Sequence, residues 1–148
     1  MSKYRAVPKP TEHQEQVAVI EFWASYAPTK GLPVNLLFCI PNASRLTPAG
    51  RIYKWKEGLR AGVPDLFLAK PKFMQSWEKT ATAGAGAAGT FTVSMVFHGM
   101  FIEMKRIGEK ARPEQIAFAD MLRKQGYNCV IAQGADEAIR AIKAYIEK

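Results

Sequence analysis

The sequence predicts an α/β fold, a mixed central β-sheet flanked by helices in the order α-β-α-β-β-α-β-α. Three observations carry this. Segments with helical apolar spacing alternate with short apolar runs. Each run is bounded by proline, glycine or asparagine, the residues that punctuate strands. The 148 residues are 48% hydrophobic, enough for one core of common domain size. No apolar stretch approaches the roughly 18 residues that a membrane span needs. Residues 1–10 hold no apolar leader. A soluble cytoplasmic protein with no membrane partner is expected.

Residues 1–10 read as a basic tail, and 11–148 as a single domain. Thr11-Glu12-His13-Gln14 fits a capping box. Val17, Ile20, Trp23 and Ala24 recur at helical spacing, so a helix should run to about Tyr26 and end before Pro28. Pro28–Pro33 is a loop. Val34–Ile40 reads as a buried strand closed by Pro41-Asn42. Residues 43–47 are polar, and Pro48 opens a short helix reaching about Arg60. Gly62-Val63-Pro64 forces a turn, and Asp65–Ala69 reads as the second strand.

Pro71–Trp77 reads as irregular or a short helical turn. Thr80–Thr90 is Gly/Ala-rich and too small in side chain to pack, which marks a flexible insertion at about 78–91. Phe91–Phe97 and Gly99–Lys105 are strand-like, either two strands or one interrupted near His98-Gly99. Pro113 suits the first turn of a helix that ends at Gly126, a residue suited to a left-handed cap. Tyr127–Ala132 is a buried strand. Ala135–Glu147 is an amphipathic helix with Ala138, Ile139, Ile142, Tyr145 and Ile146 on its apolar side. Cys39 and Cys129 lie in apolar runs and are expected as buried reduced thiols. Their spacing to each other and to His13 and His98 does not suit zinc.

The net charge of +8 favours a polyanion partner. From Asn42 to Gly62 five cations (Arg45, Arg51, Lys54, Lys56, Arg60) face one anion, Glu57. Tyr53 and Trp55 are interleaved with them, a mixture suited to phosphates and to stacking on bases or sugars. A solvated basic surface around a core tryptophan is the other reading.

Four polar groups interrupt the core pattern. Asp65 follows a Gly-x-Pro turn and opens an apolar strand. A turn aspartate serving local amides would look the same. Glu103 and Lys105 share one strand face, while Met100, Ile102 and Met104 share the other. An edge strand facing water is the alternative. Gln115 shares a helix face with Phe118 and Leu122, so it points towards the sheet, or else it caps its own helix. Together these groups suit phosphodiester hydrolysis. Asp65 and Glu103 can hold Mg2+ or Mn2+, with the Met104 backbone carbonyl adding a neutral oxygen. Lys105 can hold the attacking water, and it can act as a base only if burial or the metal lowers its pKa.

A turn aspartate followed by Glu-x-Lys on the next strand resembles the PD-(D/E)XK nuclease superfamily, with a restriction-endonuclease-like core. The surrounding blocks IPNASR, LRAGVPDLFL, MFIEMKR and RPEQIAFADMLRKQGYNCVIA look like its VRR-NUC branch, from about Glu12 to Ile142. The resemblance implies that Asp65 and Glu103 bind metal, that Lys105 is catalytic, and that Gln115 supports the site. It also implies a first-helix glutamate, which is Glu12, Glu15 or Glu21. Helical spacing favours Glu12 as a further metal ligand, and leaves Glu15 open. Asn42 and Arg106 join the five cations as expected DNA contacts. The long interval from Asp65 to Glu103 departs from the family, and an enlarged hairpin between the motif strands would accommodate it. A stand-alone domain of this size is similar to phage or prophage-type members that act as homodimers on branched DNA. A non-catalytic basic DNA-binding protein is the competing reading. An RNA-processing nuclease needs a histidine pair that His13 and His98 do not suggest.

Overall fold

Thr11 does start the first helix, α1 (Glu12–Thr29). Its hydroxyl accepts from the Gln14 amide at 3.2 Å, and the Gln14 side chain accepts from the Thr11 amide at 2.8 Å. The computed structural model describes residues 9–41, 47–79 and 89–147. Contrary to expectation, α1 continues past Pro28. The proline sits in the last turn, where it removes one bond only. The Lys30 and Leu32 amides then close the end on the Ala27 carbonyl.

The strand expected over Val34–Ile40 is shorter. Val34–Leu36 form a 3-10 turn, and β1 is Leu37–Cys39. β1 is an edge strand paired only with β2 (Leu66–Leu68), so Leu37 is buried while Phe38 and Cys39 are exposed. Cys39 is therefore not the buried thiol expected. Cys129 is buried, and that burial pushes its thiol up to about 11. The second helix, α2 (Pro48–Lys56), stops short of Arg60 because Gly58 turns the chain at φ +103°.

The largest correction lies at Pro71–Trp77. Lys72–Lys79 form a strand, β3, paired antiparallel with β4 (Gly89–Phe97). With β4 also separate from the strand that follows it, the order gains two strands and reads α-β-α-β-β-β-β-α-β-α. Among the described residues β3 and β4 pair only with each other, as a hairpin separate from the central sheet. Beyond it, Gly99 lets the chain pass the Phe67 ring, which a Cβ there would meet at 2.8 Å. β5 (Met100–Lys105) then enters the central sheet.

That sheet has the order β1-β2-β5-β6, with β6 spanning Asn128–Gln133. β5 is antiparallel to β2 and parallel to β6, so the sheet is mixed. A parallel pair needs a crossover, and α3 (Pro113–Lys124) supplies it. Gly126 ends that turn at φ +81°, as expected. On one face Leu66, Leu68, Met100, Ile102 and Met104 pack against Val19 and Trp23 of α1. Ala138 and Ile142 of α4 (Ala135–Glu147) complete that core. Each large side chain so buried contributes about 1.5–3 kcal/mol. On the other face α3 places Ala119 and Leu122 over Cys129 and Phe101.

Candidate active site

Register brings the motif residues together. Leu66 lies opposite Ile102, and one further step in the same register sets Asp65 opposite Glu103. Alternation sinks Ile102 and Met104 into the α1/α4 core and turns Glu103 and Lys105 to the α3 face. β5 is an interior strand between β2 and β6, with α1 and α4 packed on one face of the sheet and α3 on the other. Asp65, Glu103 and Lys105 are only 6%, 2% and 5% exposed. The edge-strand alternative is thereby removed.

Asp65 Oδ2 accepts from the Met104 amide at 2.8 Å, a partner on another strand and not a local one. Glu103 Oε1 accepts from Lys105 Nζ at 2.5 Å and also from Gln115 Nε2. Among the described residues Glu103 Oε2 is buried with no hydrogen-bond partner. Lys105 Nζ further donates to the Met104 carbonyl at 2.7 Å and pairs with Glu12 at 3.5 Å. Both readings of Gln115 hold, since its oxygen accepts from the Arg112 amide at 2.9 Å.

The first-helix glutamates separate cleanly. Glu12 reaches Lys105, whereas Glu15 accepts from the Ala135 amide at 2.7 Å and caps α4. Glu21 is exposed. Among the described residues no group of three or more His, Cys, Asp and Glu is placed to hold a metal. Glu12 thus stands against Lys105 and does not complete a three-carboxylate cluster.

Gly62 is a site residue that the sequence showed only as part of a turn. Its φ is +82°, and a Cβ there would fall 2.4 Å from the Glu114 carbonyl. Glycine therefore lets the Asp65 turn dock on the first turn of α3, which carries Gln115. A Gly-x-Pro-Asp string signals the bend but not the helix that it meets.

Burial, with the charges of Asp65 and Glu12, pushes the Glu103 carboxyl up to about 7 against the pull of Lys105. Burial works to lower Lys105, but Glu103 first, then Glu12 and Asp65, outweigh it and its pKa is raised. Lys105 is thus an ammonium at neutral pH, and the lowered pKa that a lysine base requires is not present in this state.

The VRR-NUC domain family matches residues 4–136. The chain belongs to the VRR-NUC domain family. A solved structure described as a "VRR_NUC domain protein" is 27% identical, with a TM-score of 0.66 over 95% of this chain and 91% of that one. No curated protein matches in sequence. A VRR-NUC domain is a nuclease-type domain, which makes DNA its implied substrate.

The expected DNA contacts of this VRR-NUC domain fall into three groups. Asn42 and Arg45 lie outside the described residues, as does most of the Gly/Ala insertion and of the basic tail. Arg51, Lys54 and Lys56 are on α2, and Arg60 follows it. Tyr53 and Trp55 are 66% and 62% exposed, so Trp55 is not a core residue. Arg106 follows β5 and donates to the Pro10 carbonyl at 3.3 Å. Among the described residues no helix is long and apolar enough to cross a membrane.

Proposed function

We propose that this VRR-NUC domain is a metal-dependent DNA endonuclease of the PD-(D/E)XK type, acting through Asp65, Glu103 and Lys105. The observation that carries this is Glu103 Oε2, a buried carboxylate oxygen left without a hydrogen bond beside a second carboxylate. Such an oxygen is costly to bury, by about 1–3 kcal/mol or more when charged, unless a cation meets it. The oxygen donors of Asp65, Glu103 and the Met104 carbonyl suit Mg2+ or Mn2+. When bound, the cation would offset charge on the scissile phosphate and acidify a water.

The chain's own groups supply the rest. Gln115 Nε2 holds Glu103 Oε1 and so aims Oε2 at the ligand position. Lys105 Nζ holds the attacking water or a non-bridging phosphate oxygen as an ammonium, stabilising the charge that develops there. Glu12 pairs with Lys105 at the mouth of the site, with its side chain 40% exposed. Lys54, Lys56, Arg60 and Arg51 of the α2 segment, with Arg106, take DNA phosphates.

Selectivity for branched DNA, of Holliday-junction type, or nicking is the preference we propose, in line with the resemblance to stand-alone phage-type members. Cutting two strands symmetrically asks for two subunits. The hairpin supports a homodimer, because Phe73, Phe91, Val93 and Met95 lie on one of its faces, each about half exposed. A DNA-binding protein without catalysis would explain the charge but not the buried cluster. Labelled branched and linear DNAs incubated with Mg2+, Mn2+ or EDTA test this. Cleavage of at least one substrate with metal and of none in EDTA is expected. A full panel without metal-dependent product would refute it.

A further inference from the structure

We propose that α2 is a stacking platform for unpaired nucleotides, with Tyr53 and Trp55 taking bases and Lys54, Lys56 and Arg60 taking phosphates. This rests on DNA being the substrate of the domain. Helices of this kind ordinarily bury an apolar stripe. None of the α2 side chains that the structure describes is buried, and Ile52, Tyr53 and Trp55 are each more than 60% exposed. Two large aromatic rings thus stand in water about 200° apart round a helix with no packing role for them, so each offers a base its own flank, Trp55 beside Arg60 and Tyr53 beside Lys56.

The local geometry prepares them. The Arg60 guanidinium sits 5.5 Å from the Trp55 ring centre and donates to the Trp55 and Leu59 carbonyls at 3.0 Å. It covers part of the indole and steadies the end of α2, while the rest of the ring stays open. Lys54 pairs with Glu57 at 2.6 Å on the surface, a contact that a phosphate can displace, so Lys54, Lys56 and Arg60 all stand beside the rings as positive charges. Charge chooses the occupant, since phosphates complement this segment. Aromatic faces choose its form, since a paired base offers no π-face to a side chain from outside the duplex. Only eight residues separate Lys56 from Asp65. Even fully extended, that tether spans at most about 30 Å, so a strand held on α2 stays within reach of the site. The platform would therefore favour DNA in which a stretch is unpaired, as at a branch or flap.

Binding in EDTA tests this without catalysis. Wild-type protein is titrated with a dT 15-mer, an rU 15-mer and a duplex of equal length, reading tryptophan fluorescence and anisotropy. Quenching by dT that disappears in Trp55→Phe is expected. Quenching by rU as well would extend the platform to unpaired nucleotides of either sugar. In Tyr53→Ala/Trp55→Ala the preference for dT over duplex should fall at least tenfold. In Lys54→Ala/Lys56→Ala both affinities should fall with that ratio kept. Quenching that persists in Trp55→Phe, or a ratio that is unaltered in the aromatic double variant, would overturn the platform. Circular dichroism melts confirm folding of each variant. A domain that cleaves duplex but shows no quenching loses the platform and keeps the nuclease. One that is quenched through Trp55 yet never cleaves does the reverse.

Discussion

Glu103 stands apart from the other carboxylates of the chain by what its two oxygens meet. One is held by Lys105 and Gln115, and the other has no partner among the described residues. Its carboxyl is raised from the ordinary 4.5 to about 7. Between those values the folded chain keeps a proton that the unfolded chain has released, so stability falls as pH rises from about 4.5 through about 7. Urea melts in EDTA across that window should show a loss on the order of 1–3 kcal/mol, and Glu103→Gln should flatten it. The same proton must leave before the carboxylate can take a cation. Metal affinity should therefore rise with pH up to about 7 and then level, with a proton released on binding. Calorimetry in two buffers of different ionisation enthalpy checks this, and pH-independent binding would contradict it. Gly62→Ala should be destabilising by about 1–3 kcal/mol, through both its φ and the Glu114 carbonyl, with thermal melts as the check. That Asp65 and Glu103 come together was legible here, because acids on apolar strands stand out. Helical spacing favoured Glu12 as the first-helix glutamate beside Lys105 but left Glu15 open. Glu12 and Glu15 lie on adjacent helical faces, and only the position of the α4 N-terminus assigns Glu15 elsewhere.

At the level of elements, β5 and α3 act as one unit. β5 carries Glu103 and Lys105, and the first turn of α3 carries the Gln115 that holds Glu103. Gln115→Ala should lower cleavage about 10- to 100-fold while leaving DNA affinity near wild type. Anisotropy beside single-turnover rates separates the two effects. The hairpin is the element that the sequence hid. Phe73 and Met74 are adjacent apolar residues, so β3 shows no clear alternation until its partner β4 is known. The enlarged interval between the motifs is nonetheless accommodated as a hairpin, and β2 and β5 still pair across it. Replacing residues 74–94 with a short Gly/Ser turn should keep the fold and the site. Lys72 remains anchored on the Tyr145 carbonyl at 3.0 Å. If the apolar hairpin face is the dimer contact, light scattering should find the trimmed chain monomeric.

For the whole molecule, the alternation of helical and strand-like segments was enough to read the mixed sheet and its flanking helices. Helix ends were harder, because a proline in a last turn costs little and a glycine can stop a helix early, as at Pro28 and Gly58. The excess of positive charge acts at this scale too. Each phosphate contact neutralised by a lysine releases counterions and adds about 0.9 to the salt slope of binding. Lys54→Ala/Lys56→Ala should lower that slope by about 1 to 2, measured by anisotropy over a range of KCl. An unchanged slope would place the DNA elsewhere.

In the proposed mechanism Asp65 and Glu103 hold a cation that phosphodiester cleavage requires. Single-turnover cleavage of a labelled DNA by wild type, Asp65→Asn and Glu103→Gln, with protein in excess, tests it most directly. Wild type should cut with Mg2+ or Mn2+ and not in EDTA. Both variants should be slower by a factor on the order of 1,000, about 4 kcal/mol of lost transition-state stabilisation, with DNA affinity within a few-fold of wild type. Cleavage by Glu103→Gln at the wild-type rate, or by wild type in EDTA, would contradict it.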